Sequence, residues 1–321
     1  MKPCYRKTLE NTVEKLNNAK GSFTFAVVAD SHLDNSVEET CQNILELSEL
    51  TPIECVLHLG DIMCGGFARS AIQRLMAKEI DIFRKSLTNG HFFPARGNHD
   101  GFSNPVTGRS DVRLDSDWHK ATRYLDDMDC VYRPDGRPYF YVDYPDKKVR
   151  LICLNSFFYR EVNGDKVKGN INGYDDKQLA WFKDEALNIG EGWTVITFAH
   201  DAPFKSFDEN FASDNPIYNG NAMMDAIREK QAQNGFLFAV WLVGHYHGDI
   251  AYCADGINVV LVASETAYVP TLWDMPEGGY YPHRELDSET EDAWDAVKID
   301  TDNRKLYFFR FGAGEDRVID Y

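Results

Sequence analysis

Five short stretches hold side chains better suited to chemistry than to building a core. They are Asp30-Ser31-His32, Gly60-Asp61, Gly97-Asn98-His99-Asp100, His200, and Gly244-His245-Tyr246-His247. Seven of these residues, Asp30, His32, Asp61, Asn98, His200, His245 and His247, offer carboxylate, carboxamide or imidazole atoms and no thiolate. A nitrogen-and-oxygen set suits manganese, iron or zinc and argues against Cu(I) or an iron–sulfur cluster. Seven donors are too many for one tetrahedral zinc and fit two metals that share a carboxylate. His245 and His247 stand on alternate positions after an apolar run and point the same way. His99 can give or take a proton near neutral pH. Asp100 beside it can hydrogen-bond that imidazole and fix its tautomer.

Such residues need elements that bring them to one place. Leu9, Val13 and Leu16 predict a short amphipathic helix over 5–19, and Phe23 to Ala29 a buried strand ending at Asp30. Ser36-x-x-Glu39 reads as a capping box opening a helix with Val37, Cys41, Ile44 and Leu45 on one face. Ile53 to Leu59 is the next strand, before Gly60-Asp61. Ile72, Leu75, Met76, Ile80, Phe83 and Leu87 mark a long helix. His91 to Ala95 is a third strand, after which Gly97 lets the chain turn sharply. The β-α-β-α-β order implies parallel strands with right-handed crossovers. Each cluster falls at a strand's carboxyl end, where open α/β sheets bind ligands.

Residues 101–120 are polar and turn-rich and run into a short helix near 117–126. Arg137–Asp143 and Val149–Asn155 predict two strands joined by the turn Pro145-Asp146-Lys147. Asp175-x-x-Gln178 caps a helix carrying Leu179, Phe182 and Leu187. Strands over 193–199 and 236–243 precede His200 and Gly244, with a helix over 221–233 between them. Residues 250–263 and 294–311 are strand-rich, which suggests a second sheet with antiparallel pairs, and 264–292 form an aromatic, Pro/Gly-rich loop.

The 321 residues are 43% hydrophobic, ample for a large core, and carry a formal charge of −17. That charge disfavours long nucleic acids and anionic membranes, though bound divalent metals can reverse the local field for a small phosphorylated substrate. Seven cysteines, Cys4, Cys41, Cys55, Cys64, Cys130, Cys153 and Cys253, are odd in number, irregularly spaced and form no C-x-x-C. A reducing, cytoplasmic setting is the expectation, since residues 1–22 show no signal-peptide core and no run reaches transmembrane length.

The ordered set Asp30-x-His32, Gly60-Asp61, Gly97-Asn98-His99-Asp100, His200 and Gly244-His245-x-His247 resembles the calcineurin-like metallophosphoesterases over 30–247. The resemblance implies an α/β fold: a two-sheet β-sandwich with flanking helices and a β-α-β-α-β core. One such domain would cover 1–321, with 1–22 as a helical extension and 250–321 as its strand-rich end. It implies one metal on Asp30, His32, Asp61 and His247, and another on Asp61, Asn98, His200 and His245. His99, oriented by Asp100, would face the scissile phosphate as the catalytic acid while a metal-bridging hydroxide attacks phosphorus. Two features depart from the pattern. Pro203 stands three residues after His200 where many members have proline at two, and Cys64 stands where purple acid phosphatases place a metal-binding tyrosine.

The expected activity is metal-dependent hydrolysis of a small phosphodiester or phosphomonoester. A non-catalytic scaffold on the same fold and a nuclease of the same superfamily are the alternatives. Ser156 to Arg160, Phe204 to Phe211 and 264–282 are aromatic-rich loops, suited to stack on a flat group or to close the rim. Arg69 and Arg160 are candidates to reach a substrate phosphate. His58, His91, His119 and His283 are assigned structural or solvent-exposed places.

Overall fold

The structure is a computed structural model and describes residues 1–34, 36–64, 69–101, 115–158, 161–162, 165–166, 171–203, 217–267, 275 and 277–321. Behind helix α1 (Arg6–Asn18), every residue of strand β1 (Phe23–Val28) is buried. Phe23, Phe25 and Val27 enter one apolar cluster, and Ala26 and Val28 another. Both faces of the strand are covered, which is why it reads as an apolar run broken only by Thr24. β1 pairs in parallel with β2 (Cys55–His58), and β2 with β3 (Phe92–Pro94), through α2 (Val37–Leu50) and α3 (Arg69–Arg84). Asn98–Gly101 form a single helical turn, α4. The capping box expected at α2 is not made: Ser36 is itself helical without a side-chain cap, and Glu39 instead meets Lys2 at 2.6 Å.

The chain continues through α5 (Asp115–Ala121), β4 (Val131–Tyr132), β5 (Phe140–Tyr144), β6 (Val149–Cys153), β7 (Phe157–Phe158), β8 (Glu161–Val162), β9 (Asp165–Lys166) and β10 (Ile171–Asn172). Then come α6 (Asp176–Trp181), β11 (Thr194–Phe198), α7 (Gly220–Asn234), β12 (Leu237–Val243), β13 (Ile250–Ala254) and β14 (Ile257–Leu261). β15 (Ala293–Asp300), β16 (Lys305–Gly312) and β17 (Arg317–Asp320) end it. Asp175 does cap α6, accepting the Gln178 N–H at 2.7 Å. Most of 101–120, residues 159–160 and Phe204–Phe211 lie outside the described residues, as does the side chain of Arg69.

One sheet has the order β17-β16-β15-β1-β2-β3 and the other β13-β14-β12-β11-β6-β5-β4. Phe25, Leu57 and Phe93 of the first pack with Leu151, Ile196, Phe198 and Leu242 of the second. Leu16, Ile44 and Phe83 cover the first sheet's outer face, and Phe182, Met223 and Ile227 the second's. The result is the two-sheet sandwich with flanking helices.

The tail corrects the sequence expectation. It does not build a second sheet of its own. The β13–β14 hairpin extends the second sheet through β14 beside β12, while β15, β16 and β17 run antiparallel along β1 in the first. An interior strand such as β1, buried on both faces, needs partners on both edges, and β15 supplies the second. The two halves of the tail are joined by buried charges. Arg310 meets Asp295 at 2.9 Å and also Asp249, and Arg317 bonds the same two acids. Asp249 lies two residues after His247, so this network anchors a loop of the site.

Candidate metal centre

β1, β2 and β3 of one sheet and β11 and β12 of the other release their chains at a common edge, and all five clusters meet there. Five of the seven candidate donors sit in left-handed backbone: Asp30 (φ 53°), His32 (49°), Asp61 (54°), His245 (76°) and His247 (59°). Each such residue costs roughly 1–3 kcal/mol and persists only where its surroundings over-determine it. Here the loops hold one another. Asp30 N–H donates to Gly60 O at 3.1 Å, His32 N–H to Asp61 O at 3.0 Å, and Leu33 N–H to Ile62 O at 3.0 Å. His245 N–H donates to the Asp30 carboxylate at 2.9 Å.

Asp100 takes a different place from the one its sequence position suggests. Its two oxygens accept the backbone N–H groups of Gly97 at 2.8 Å, Asp61 at 2.9 Å and Met63 at 2.9 Å. It thus pins the Asp61 loop to the Asn98 loop, and the carboxylate found beside the His99 ring is that of Asp61, 3.9 Å from Nε2. Gly97 is also needed for a reason other than a sharp turn. A Cβ there would lie 2.1 Å from Asp61 Oδ1, so only glycine lets the two loops approach.

The donor atoms converge in two groups. In one, His32 Nε2 is 3.1 Å from His247 Nε2, which is 3.5 Å from Asp30 Oδ1. In the other, His200 Nε2 is 3.1 Å from Asp61 Oδ2, 2.9 Å from Asn98 Oδ1 and 3.2 Å from His245 Nδ1. Asp61 also forms a third group with His32 and His99, so it stands between the other two. A cation about 2.0–2.1 Å from each donor holds neighbouring donors roughly 3.0–3.4 Å apart, so these separations fit one in each group. His200 is wholly buried, and its Nδ1–H donates to Leu59 O at 2.9 Å, which turns Nε2 toward Asp61.

Electrostatics points the same way. Burial opposes a charge on His200, but Asp61 and Asp30 outweigh it and raise the imidazole to about 10. Burial lowers His245 to about 4 and holds His32 below its ordinary value. Burial works against the Asp61 and Asp30 carboxylates, yet the histidines facing them keep both low. Two buried carboxylates that stay ionised among imidazole nitrogens make a site that favours cations.

Sequence reasoning set His58 aside as structural, and the structure gives it a larger part. The ring is fully buried. Its Nδ1 accepts Gly60 N–H at 3.1 Å, which leaves Nε2–H to donate to Ser31 Oγ at 3.0 Å. One imidazole therefore clamps the loop bearing Asp30 and His32 to the loop bearing Asp61. Burial lowers it to about 3, so it stays neutral. The available signal was a histidine inside an otherwise apolar strand, two residues before Gly60. His58→Phe keeps a ring and removes both bonds. Its metal affinity should fall roughly 10–100-fold in a chelator competition, and an unchanged affinity would show that the loops hold without it.

Phe157, read as part of an aromatic rim, is buried against the centre, its ring 5.7 Å from that of His200 and 5.5 Å from that of His245. Where the chain is one residue longer before Pro203, Asp201 turns inward and accepts from Ala202 N–H and Asn172 Nδ2 at 2.8 and 2.6 Å. Ser264 Oγ donates to Asp30 O, and Glu265 N–H to Ala29 O, both at 2.8 Å.

Behind that contact the Glu265 carboxyl is buried with Asp292. Thr40 Oγ1 lies 2.8 Å from each, and its single hydrogen can serve only one. Asn43 and Trp294 both donate to Asp292, which favours its anion. Glu265 therefore carries the proton: burial, then Asp292, raises it from 4.5 to about 8. Between those values the folded chain binds the extra proton, so this stability is full below 4.5 and is lost as the pH rises through 8. Melting of the metal-free protein should show that loss between about pH 5 and pH 9, and Glu265→Gln should flatten it. Parallel profiles for the two proteins would assign the loss elsewhere.

The two-sheet sandwich thus gathers the seven candidate nitrogen and oxygen donors at one edge, with Asp61 between two groups that could hold metal ions. The chain belongs to the calcineurin-like phosphoesterase family, whose profile matches residues 23–249. Among solved structures it is similar to a dimetal phosphatase from Danio rerio, with 16% identity and a TM-score of 0.54 over 94% of this chain and 100% of that one. It is similar also to GAP50, the anchor in the inner membrane complex of Plasmodium, at 11% identity and a TM-score of 0.45 over 94% of this chain and 89% of that one. A Thermus thermophilus protein, TT1561, matches at 12% identity and a TM-score of 0.46 over 89% of this chain and 97% of that one. No curated protein sequence matches it. No helix among the described residues is long and apolar enough to cross a membrane.

Proposed function

We propose that the protein hydrolyses small phosphoric esters, monoester or diester, at this centre. Asp30, His32, Asp61 and His247 would hold one cation, and Asp61, Asn98, His200 and His245 the other. The observation that carries this is the pair of donor groups with Asp61 between them. Manganese, iron or zinc, the metals the donor chemistry suits, would when bound there supply Lewis acidity and a nucleophile at neutral pH. The chain does the rest. Asp61 would be shared by the two donor groups, Asp100 and His58 fix the loops, and Phe157 excludes water on the His245 side. The His99 side chain, 44% exposed beside Asp61, would give its proton to the leaving oxygen. The net charge of −17 supports small substrates over long nucleic acids, and seven free cysteines support a reducing, cytoplasmic setting.

Hydrolysis of p-nitrophenyl phosphate and of bis-p-nitrophenyl phosphate by the manganese-loaded protein, beside Asn98→Ala, tests this reading. Turnover well above that variant is the expected result, and the preferred ester separates monoesterase from diesterase. Equal, negligible turnover by both proteins would leave a non-catalytic binding protein on the same fold.

A further inference from the structure

The end of β6 places one buried polar side chain on the wall of the centre. β6 runs parallel to β11 with Cys153 opposite Phe198, and Leu154 N–H extends the pairing to Phe198 O at 2.9 Å. Two residues further on, the same register sets Asn155 beside His200. The next pair holds it there, since Asp201 N–H donates to Ser156 Oγ at 2.9 Å. Side chains alternate along an extended chain, so Cys153, Asn155 and Phe157 share a face. The outer two show which face it is. Cys153 Sγ donates to Pro94 O at 3.6 Å, four residues before Asn98, and the Phe157 ring packs on those of His200 and His245. Asn155, between them, is turned toward the centre.

Its backbone is held separately. Gln178 Oε1 accepts Asn155 N–H at 2.7 Å, and Gln178 Nε2 donates to Asn155 O at 2.9 Å. One buried glutamine thus occupies both backbone groups and leaves the side chain unused. Asn155 is 3% exposed, and its Oδ1 has no hydrogen-bond partner among the described residues. Buried polar groups are nearly always bonded, so this one points to a partner from outside the chain. Asn155 stands apart from the donor group beside it. Asp61, Asn98 and His245 lie 3.1, 2.9 and 3.2 Å from His200 Nε2, and the Asn155 carboxamide bonds none of these four. A carboxamide can turn either end outward, and a phosphoryl oxygen, which only accepts, selects the NH2 end.

We infer that Asn155 is a phosphate-binding residue: its Nδ2–H donates to a non-bridging oxygen of the phosphoryl group. The inference rests on the phosphoesterase reading for the presence of that group. It gives a role to a residue that the sequence marked only as the end of a strand.

The test is calorimetric titration of the manganese-loaded protein with inorganic phosphate, beside Asn155→Leu and Asn155→Asp. Both variants keep the approximate volume and remove the donor. The leucine variant should bind phosphate about tenfold or more weakly, the size of one hydrogen bond to a charged group. The aspartate variant should bind it more weakly still, because a carboxylate repels phosphate. Manganese content after dialysis and the melting temperature of the leucine variant should match the parent. If leucine prevents folding, aspartate gives the comparison. Equal phosphate affinity in parent and variants overturns the inference, as does an absence of phosphate binding by the parent. Loss of manganese from the leucine variant also overturns it, since Asn155 would then act on the metal loops. The two readings fail separately. Hydrolysis of p-nitrophenyl phosphate with an unchanged KM in both variants removes Asn155 and keeps the chemistry. Phosphate binding that depends on Asn155, with no ester turned over, keeps the subsite and removes the hydrolysis.

Discussion

His99→Ala should lower the rate on an ester with a poor leaving group by roughly 10²–10⁴-fold, the usual contribution of a general acid, while the bound metal stays in place. The backbone N–H of His99 donates to Asp61 Oδ1 at 2.7 Å, a contact that alanine keeps. The substitution therefore removes the imidazole and little else. That ring is the exposed member of the cluster, edge-on to His32 at 5.2 Å. An alkyl phosphate needs a proton on its departing oxygen, whereas p-nitrophenolate leaves readily without one, so the loss should shrink as the leaving group improves. A steeper dependence of rate on leaving-group pKa in the variant is the signature to look for. His99 also groups with His32 and Asp61 as possible donors. If the variant lost metal and slowed equally on every ester, His99 would be a ligand and not an acid.

Asp61→Asn should abolish tight binding of the metal pair and bring activity to background. The carboxylate is buried at 1% exposure, and its Oδ2 faces His200 Nε2 at 3.1 Å. It is also the charge that overcomes burial to raise His200. Asparagine preserves shape but removes the shared anion, so each donor group is left short of charge. Loss of an outer partner of a metal ligand costs about 10–100-fold in affinity, and loss of a bridging ligand should exceed that. Metal analysis after dialysis, beside thermal melting to show that the fold persists, provides the measurement. Two equivalents retained as tightly as in the parent protein would remove Asp61 from the ligand set.

The candidate donors were legible in the sequence because strand-end clusters of histidine and carboxylate have few structural uses, and their order along the chain matches a known pattern. The core strands were legible for a related reason. A strand buried on both faces, such as Phe23–Val28, is apolar on both, with Thr24 its single polar residue. Roles set by contact across the fold were less visible. Asp100 is adjacent to His99 in sequence, yet its oxygens reach backbone groups from the Asp61 loop. Gly97 looked like a sharp turn, and the structure makes it also a point of close approach to Asp61.

By itself, then, the sequence determined the residue types, their attachment to strand ends, and so the chemistry that seven nitrogen and oxygen donors can support. Tertiary structure decided which donors face each other, which strands of the tail join which sheet, and that His58 binds two loops at once. The reason is physical. Side-chain chemistry and strand periodicity are local properties of the chain. The pairings Asp30–His245 and His32–His247 join residues that meet only when two sheets close on a common core, and Ser31–His58 joins residues that meet only when β1 and β2 pair.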